Sequence, residues 1–305
     1  MGSDRQIRGH RLHIEEFGSP TSKHVLFLHG GPGMGSYHFE LVQGPRLGEA
    51  LHLITLDQRG VLRSDPIADG EPFGIADLIA DFEALRRELG IERWSLIGHS
   101  FGGYLAAVYA SAHPAAVDRL VLDNASLDLA SSSRSLLTAA GFLYAAELDA
   151  ANARECLALA HAPSDAAPSH LWEQLTRHLQ GLGPRRDDLY IHGPRKRLVD
   201  DLTAAAPFPP EFWQRGATHQ ARLVQEGALF KPLVGPVLHR KLLIKGRYDL
   251  VFAADQIAGL LAADPETKLL LFEESGHFAH LEEPDRFATE VISFLAPHAS
   301  GTERR

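Results

Sequence analysis

Along the chain, apolar residues gather in short unbroken runs separated by stretches with helical spacing. Runs at 24–29 (HVLFLH), 51–56 (LHLITL), 94–98 (WSLIG), 119–123 (RLVLD), 241–246 (KLLIKG) and 268–273 (KLLLFE) are strand-sized and apolar nearly throughout. Strands of this kind belong to a parallel sheet covered by helices on both faces. Helix spacing is clearest over 75–89, where Ile75, Leu78, Ile79, Phe82, Leu85 and Leu89 share one face and Gly90 supplies a stop. Similar spacing marks 104–112, 254–263 and 285–296. The alternation predicts an α/β fold with a mostly parallel sheet.

From about 126 to 238 the rhythm breaks. This segment is rich in Ala, Ser, His, Pro and Gly, has no strand-like run, and carries helix-like stretches at 134–161 and 169–180 with turn signals such as GLGP and PFPP. We read it as a mostly helical cap, a lid, inserted between two strands of one sheet. The expected organisation is therefore a first core part at 1–125, the cap at 126–238 and a second core part at 239–298, with 299–305 a frayed tail.

Composition narrows the function classes. A chain of 305 residues, 45% hydrophobic, can bury a large core. A formal charge of -9 argues against a nucleic-acid partner, and the two short basic clusters, Arg185-Arg186 and Arg195-Lys196-Arg197, sit among Gly and Pro as solvated loops do. The single cysteine, Cys156, leaves no intrachain disulfide and no Cys-based zinc site. His277 and His280 form an HxxH with Glu282 and Glu283 nearby, but the spacing supplies no third convergent ligand, so neither a metal nor another cofactor is expected. Met1 to Phe17 is polar and charged, and no window reaches membrane-spanning length, so the expectation is a cytoplasmic protein with no membrane partner.

The candidate chemistry begins at Gly98-His99-Ser100-Phe101-Gly102, which follows an apolar strand and opens a helix. A serine at the tip of such a turn takes a strained backbone, glycines on either side remove clashes, and the helix start directs N–H groups at any anion forming beside the hydroxyl. A serine needs a base and the base an orienting carboxylate. His277 follows the last predicted strand, and Asp249, in Gly246-Arg247-Tyr248-Asp249, follows the strand before it. Ser, Asp, His is the α/β-hydrolase order. Asp123 and Asp57 also end strands; we read Asp123 as a cap at the entry to the lid and Asp57 as a tie to Arg59 or to loop N–H groups. Two oxyanion donors are needed, and the N–H groups of Phe101 and of Gly31, in the His29-Gly30-Gly31-Pro32-Gly33 loop, are the candidates. That loop is not a phosphate cradle, since neither GxxxxGK[ST] nor GxGxxG occurs.

These residues resemble the proline iminopeptidase branch of the α/β hydrolases: His29 to Gly33, Asp57-Gln58-Arg59-Gly60, the Ser100 turn, Gly246 to Asp249, and Gly276-His277 carry the likeness, over roughly 24–125 and 240–290. The resemblance implies an eight-stranded sheet with a helical cap, a Ser100–Asp249–His277 triad, no cofactor, and release of an N-terminal proline. Three departures stand out. The turn reads GHSFGG rather than GGSWG[ST]; Leu62 occupies the place of a second glycine after Asp57-Gln58-Arg59-Gly60; and Val224, in Ala221 to Glu226, stands where the branch carries a glutamate for the substrate amine, leaving Glu226 as a substitute only by a shift of register. The expected substrate is a small molecule or short peptide, either an N-terminal proline amide or a bulky apolar ester or lactone, against a cap lined by Phe142, Tyr144, Trp172, Phe208, Phe212, Trp213 and Phe230. A non-catalytic small-molecule receptor is the reading from another class; receptors of that kind commonly lose a triad member, and all three are present here.

Overall fold

The computed structural model describes residues 2–163, 166–227, 229, 231 and 237–296. Eight strands form one sheet: β1 (Ser3–Ile7), β2 (His10–Phe17), β3 (Lys23–Leu28), β4 (Leu51–Leu56), β5 (Trp94–His99), β6 (Val117–Asp123), β7 (Arg240–Gly246) and β8 (Lys268–Phe272), in the order β1-β2-β4-β3-β5-β6-β7-β8. β2 runs antiparallel to β1 and β4, and all other pairings are parallel.

The two faces of the central strands separate by residue parity, as the pleat requires. Leu26, Leu28, Ile54, Leu56, Leu96, Leu120 and Leu122 pack under α2 (Ile75–Glu88) and α3 (Phe101–Ala112), while Val25, Phe27, Leu51, Leu53, Ile97 and Val121 pack under α1 (Tyr37–Gly48) and α11 (Pro284–Leu295). Each such side chain, fully removed from water, contributes about 1.5–3 kcal/mol. Both faces are apolar because both are covered.

The apolar runs correspond to six of the eight strands. β1 and β2 lie in the segment that reads as merely polar and charged. On β2 only Leu12 and Ile14 are buried, so the pattern is a period of two with polar residues between, and the hairpin turns through Arg8 and Gly9, both at positive φ. Between β6 and β7 the described residues form α4 (Leu129–Ala146), α5 (Ala150–Ala160), α6 (Pro168–Gly181), α7 (Leu198–Ala204) and α8 (Pro210–Gln225). The stretch expected as one helix over 134–161 is two, broken where Leu148 takes a φ of 63° and Asp149 caps α5 through the Asn152 N–H at 3.1 Å. Asp128 caps α4 through Ala130 and Ser131. Among the described residues no helix is long and apolar enough to cross a membrane.

One face of α8 seats this insertion on the core. Arg215, His219 and Arg222, spaced i, i+4 and i+7, donate to main-chain carbonyls of the loop after β4: Arg215 to Leu62 and Ser64 (2.7 and 3.0 Å), His219 to Arg59 (2.7 Å) and Arg222 to Glu71. Leu62 sits there at a φ of 40° with its side chain buried, in the left-handed region that a glycine takes at no cost.

α3 approaches the sheet backbone to backbone. A methyl group at Gly102 would meet the carbonyl oxygens of Leu28 and His29, whereas a methyl at Gly259, on exposed α9 (Ala254–Ala263), would meet nothing within 4 Å. The same substitution should therefore have opposite signs: Gly102→Ala is expected to lower unfolding free energy by about 1–3 kcal/mol, and Gly259→Ala to raise it by about 0.5–1 kcal/mol. Urea denaturation of the two variants checks both.

Candidate active site

At the end of β5 the chain turns through Ser100 at φ 54° and ψ -122° and enters α3 at Phe101. A left-handed serine is strained by about 1–2 kcal/mol, and the surroundings hold it there. Its N–H donates to the carbonyl of Asp123 at 3.0 Å, and its carbonyl accepts from Gly103 and Ser126 at 2.9 and 3.0 Å. The Gly-rich loop after β3 lies directly against this turn, since a methyl at Gly30 would come within 2.7 Å of the Ser100 Cβ. Phe101 is the first helical residue, so its N–H has no partner inside the helix. Gly31, Ser100, Phe101 and His277 all line one cavity of about 1040 Å³ between the sheet's C-terminal edge and the insertion.

Asp249 is fully buried in the turn after β7. Its Oδ1 accepts from the Val251 N–H at 2.9 Å and from His277 Nδ1 at 2.9 Å; Oδ2 accepts from Phe252 N–H at 3.0 Å and from Lys245 Nζ at 3.1 Å. A carboxylate only accepts, so the His277 proton sits on Nδ1 and Nε2 is left with its lone pair. Burial works to raise Asp249; the His277 ring, its hydrogen bond and the Lys245 ammonium outweigh it and hold the carboxyl below its ordinary value. For His277 burial dominates over the attraction of Asp249 and lowers the imidazole pKa. Both groups thus stay in the states a base and its orienter need: carboxylate and neutral imidazole.

Of the other strand-end carboxylates, Asp123 serves different partners from those the sequence suggests, while Asp57 takes the expected loop N–H groups but a different arginine. Asp123 does not cap the insertion; Asp128 does. Asp123 instead accepts from His280 Nδ1 at 2.7 Å and Asn124 Nδ2 at 3.0 Å and lies 3.3 Å from His99 Nδ1. His99, Asp123 and His280 have ligand atoms within 4.8 Å of one another, the spacing a metal ion requires, and form a combination that the HxxH reading does not contain. His280 turns into the core while His277 faces the cavity, because the chain between them bends into the short α10 (Ala279–Glu282). Asp57 pairs with Arg63 (2.6 Å) and the N–H groups of Ser36 and Arg63 rather than with Arg59, whose guanidinium is held by Asp81 and Glu71.

Of the substrate candidates, Trp172 and Trp213 line the cavity. Glu226 does not: it follows the last turn of α8 and is exposed, so no shift of register brings it to the cavity. Phe230 lies outside the described residues. Phe142 is 64% exposed, and Tyr144 is buried within the insertion, donating to the His178 carbonyl. Acidic residues that sequence spacing does not single out also line the cavity: Asp128, whose carboxylate caps α4, and Asp187 and Asp200. Burial raises the Asp187 pKa, Arg186 opposes this and Asp200 adds to it.

Comparison with known proteins gives a match to the alpha/beta hydrolase fold family over residues 23–284. A proline iminopeptidase of Neisseria gonorrhoeae is 41% identical over 113 residues, which is 37% of this chain and 36% of the relative, so the chain matches about a third of the length of such curated relatives. Among solved structures, a proline iminopeptidase-related protein from Thermus thermophilus superposes with a TM-score of 0.73 at 20% identity, covering 97% of this chain and 98% of its own. An enol-lactonase from Burkholderia xenovorans superposes with a TM-score of 0.67 at 18% identity, covering 96% and 99%. At these identities the two structures speak to the fold alone.

Three buried histidines brace the loops around the cavity in their neutral form. His29 accepts from the Gln58 N–H through Nε2 and donates to the Gly30 carbonyl through Nδ1; His38 stacks on Trp213; His219 donates to Arg59. Burial pushes them down to about 4, about 4 and about 3. The unfolded chain takes up these protons near pH 6.5 and the folded chain does not. Stability is therefore fully present above about pH 6.5 and is lost on acidification toward pH 4, by about 1.4 kcal/mol per pH unit for each histidine. Thermal melts between pH 7 and 5 should show this slope, and His219→Asn, which keeps a donor for the Arg59 carbonyl, should make it shallower.

Proposed function

Because the chain belongs to the alpha/beta hydrolase fold family, we propose that it is a serine hydrolase that works through an acyl-enzyme on Ser100, with the insertion at 126–238 as the lid over its site. The observation that carries this reading is the Asp249–His277 hydrogen bond opening onto the cavity that Ser100 lines.

In the proposed reaction the Ser100 hydroxyl oxygen bonds to the substrate's carbonyl carbon while its proton passes to His277 Nε2. The tetrahedral oxyanion accepts from the N–H groups of Phe101 and Gly31, each worth about 3–4 kcal/mol in such sites. Collapse breaks the scissile bond, and the proton moves from His277 to the departing amine or alcohol. Water then repeats the sequence: His277 takes one of its protons, the hydroxyl attacks the ester, and Ser100 Oγ leaves with the proton returned. Asp249 holds the imidazole orientation and stabilises its cationic form.

For the substrate we propose a short peptide with a free N-terminal proline, as the names of the sequence relatives suggest. Asp187 and Asp200 support this, because a substrate ammonium entering the cavity would offset the burial and the repulsion from Asp200 that disfavour the Asp187 carboxylate. The apolar walls formed by Trp172, Trp213, Leu136 and Leu175 favour a second reading, an esterase or lactonase for a bulky apolar acyl group.

Rates on a proline arylamide and on short-chain aryl esters separate the two. If the amine reading holds, Asp187→Asn raises KM for the arylamide at least several-fold and leaves ester hydrolysis unchanged. Ser100→Ala should lower kcat on the preferred substrate by on the order of 10⁴ or more, and Asp249→Asn by about 10⁴; undiminished turnover in Ser100→Ala would remove the assigned nucleophile. The acid limb of kcat/KM should lie below the ordinary imidazole value, since the base loses its function only as pH falls through the lowered His277 pKa.

A further inference from the structure

Three main-chain N–H groups converge on one buried carboxylate, that of Glu282. Its Oε1 accepts from Gly276 at 3.0 Å and Phe278 at 3.1 Å, the peptides on either side of His277, and its Oε2 accepts from His192 at 2.7 Å, in the insertion. Glu282 is 6% exposed. The same seam has a second tie, from the His277 N–H to the Tyr190 carbonyl at 2.6 Å, and a third, from Arg195 Nη2 to the Glu282 carbonyl at 2.9 Å. Gly276 has no space for a side chain, because a methyl there would run into the Tyr190 carbonyl oxygen and approach the His192 nitrogen to 3.1 Å. The loop carrying His277 and the segment 190–195 are thus packed main chain against main chain, with one carboxylate bridging them.

From this geometry we infer that Glu282 is a positioning residue, which fixes the His277 imidazole relative to Ser100 by clamping its loop to the insertion, so that the seat of the insertion sets the alignment of the base. The inference rests on the Ser100–His277 reading above. The two carboxylate oxygens divide the work, one organising the two peptides that flank His277 and the other anchoring them to segment 190–195. Charged acceptors of backbone N–H groups make stronger hydrogen bonds than neutral ones, and alignment errors of about 1 Å cost on the order of 10²-fold in rate.

Glu282→Gln places an amide NH₂ among three N–H donors, so one arm of the clamp must open. His192→Pro deletes only the insertion's donor, at a residue whose φ of -90° and ψ of 152° lie near the proline range; His192→Ala loses the ring yet keeps the N–H and serves as its control. The measurements are kcat and KM on the preferred substrate, and the rate at which a fluorophosphonate probe labels Ser100. Expected are a 10- to 100-fold fall in kcat and in labelling rate for Glu282→Gln and His192→Pro, a KM within about threefold of the parent, and near-parent values for His192→Ala. Should Glu282→Gln fail to fold, the His192 pair decides by the same criteria. Unchanged kcat and labelling, a loss confined to KM, or equal losses in His192→Ala and His192→Pro would overturn the inference. His277→Ala keeps the two failures apart: if it labels at the parent rate, the triad reading is wrong, and if it does not label while the clamp variants do, only the role of Glu282 falls.

Discussion

The site depends on how closely α3 lies against the sheet. Helix and strand meet here through main-chain atoms, with Gly98, Gly102 and Gly103 at the contact, and only this approach lets the chain reverse from β5 into α3 through one strained residue. The hydrogen bond from Ser100 to Asp123 at the end of β6 then fixes the height of the turn above the sheet. A helix set off by one more methyl group would relax the turn and withdraw the hydroxyl. The packing of the core and the exposure of the serine are one constraint seen from two sides, in keeping with the tendency of strained residues to persist where their surroundings over-determine them.

Much of this was legible in the sequence, and the reason is burial. Strands covered on both faces must be apolar at every position, so β3 to β7 announce themselves; β8, at the sheet edge, reads the same way although Leu269 and Leu271 are exposed, and Ser100, Asp249 and His277 follow the ends of β5, β7 and β8. β1 and β2 do not announce themselves, because an antiparallel hairpin at the sheet edge needs only alternate apolar residues. The break at Leu148 hides for a similar reason: a local φ, not composition, divides α4 from α5. The loop N–H groups on Asp57 could be read, but not its arginine, nor the partners of Asp123, since position at a strand end does not say which of several nearby cations will be met. Arg63 stands in the same loop as Asp57, where Arg59 is the nearer rival, and His280 comes from a distant part of the chain. Glu226 lies away from the cavity because a register argument places a residue along a helix, whereas this one stands just past its end and is exposed. Asp187 and Glu282 act across gaps of tens of residues that only the fold closes.

Buried ionisable groups around the cavity sort into two kinds. Asp249, Asp57 and Asp123 each sit against a cation or imidazole and hold their charge despite burial. His29, His38 and His219 give up theirs, because burial costs the charged ring more than its neighbours return. The low-dielectric setting that makes the first kind effective also makes the second kind sensitive to acid.

The docking of α8 has a consequence for how this chain can change over time. Arg215, His219 and Arg222 grip carbonyl oxygens, and every residue in the loop after β4 has one whatever its side chain. The helix is therefore indifferent to the identity of the residues beneath it, and their letters are free to drift so long as the path of the chain is kept. Leu62, a leucine resting in a glycine's conformation under that grip, shows the latitude this leaves.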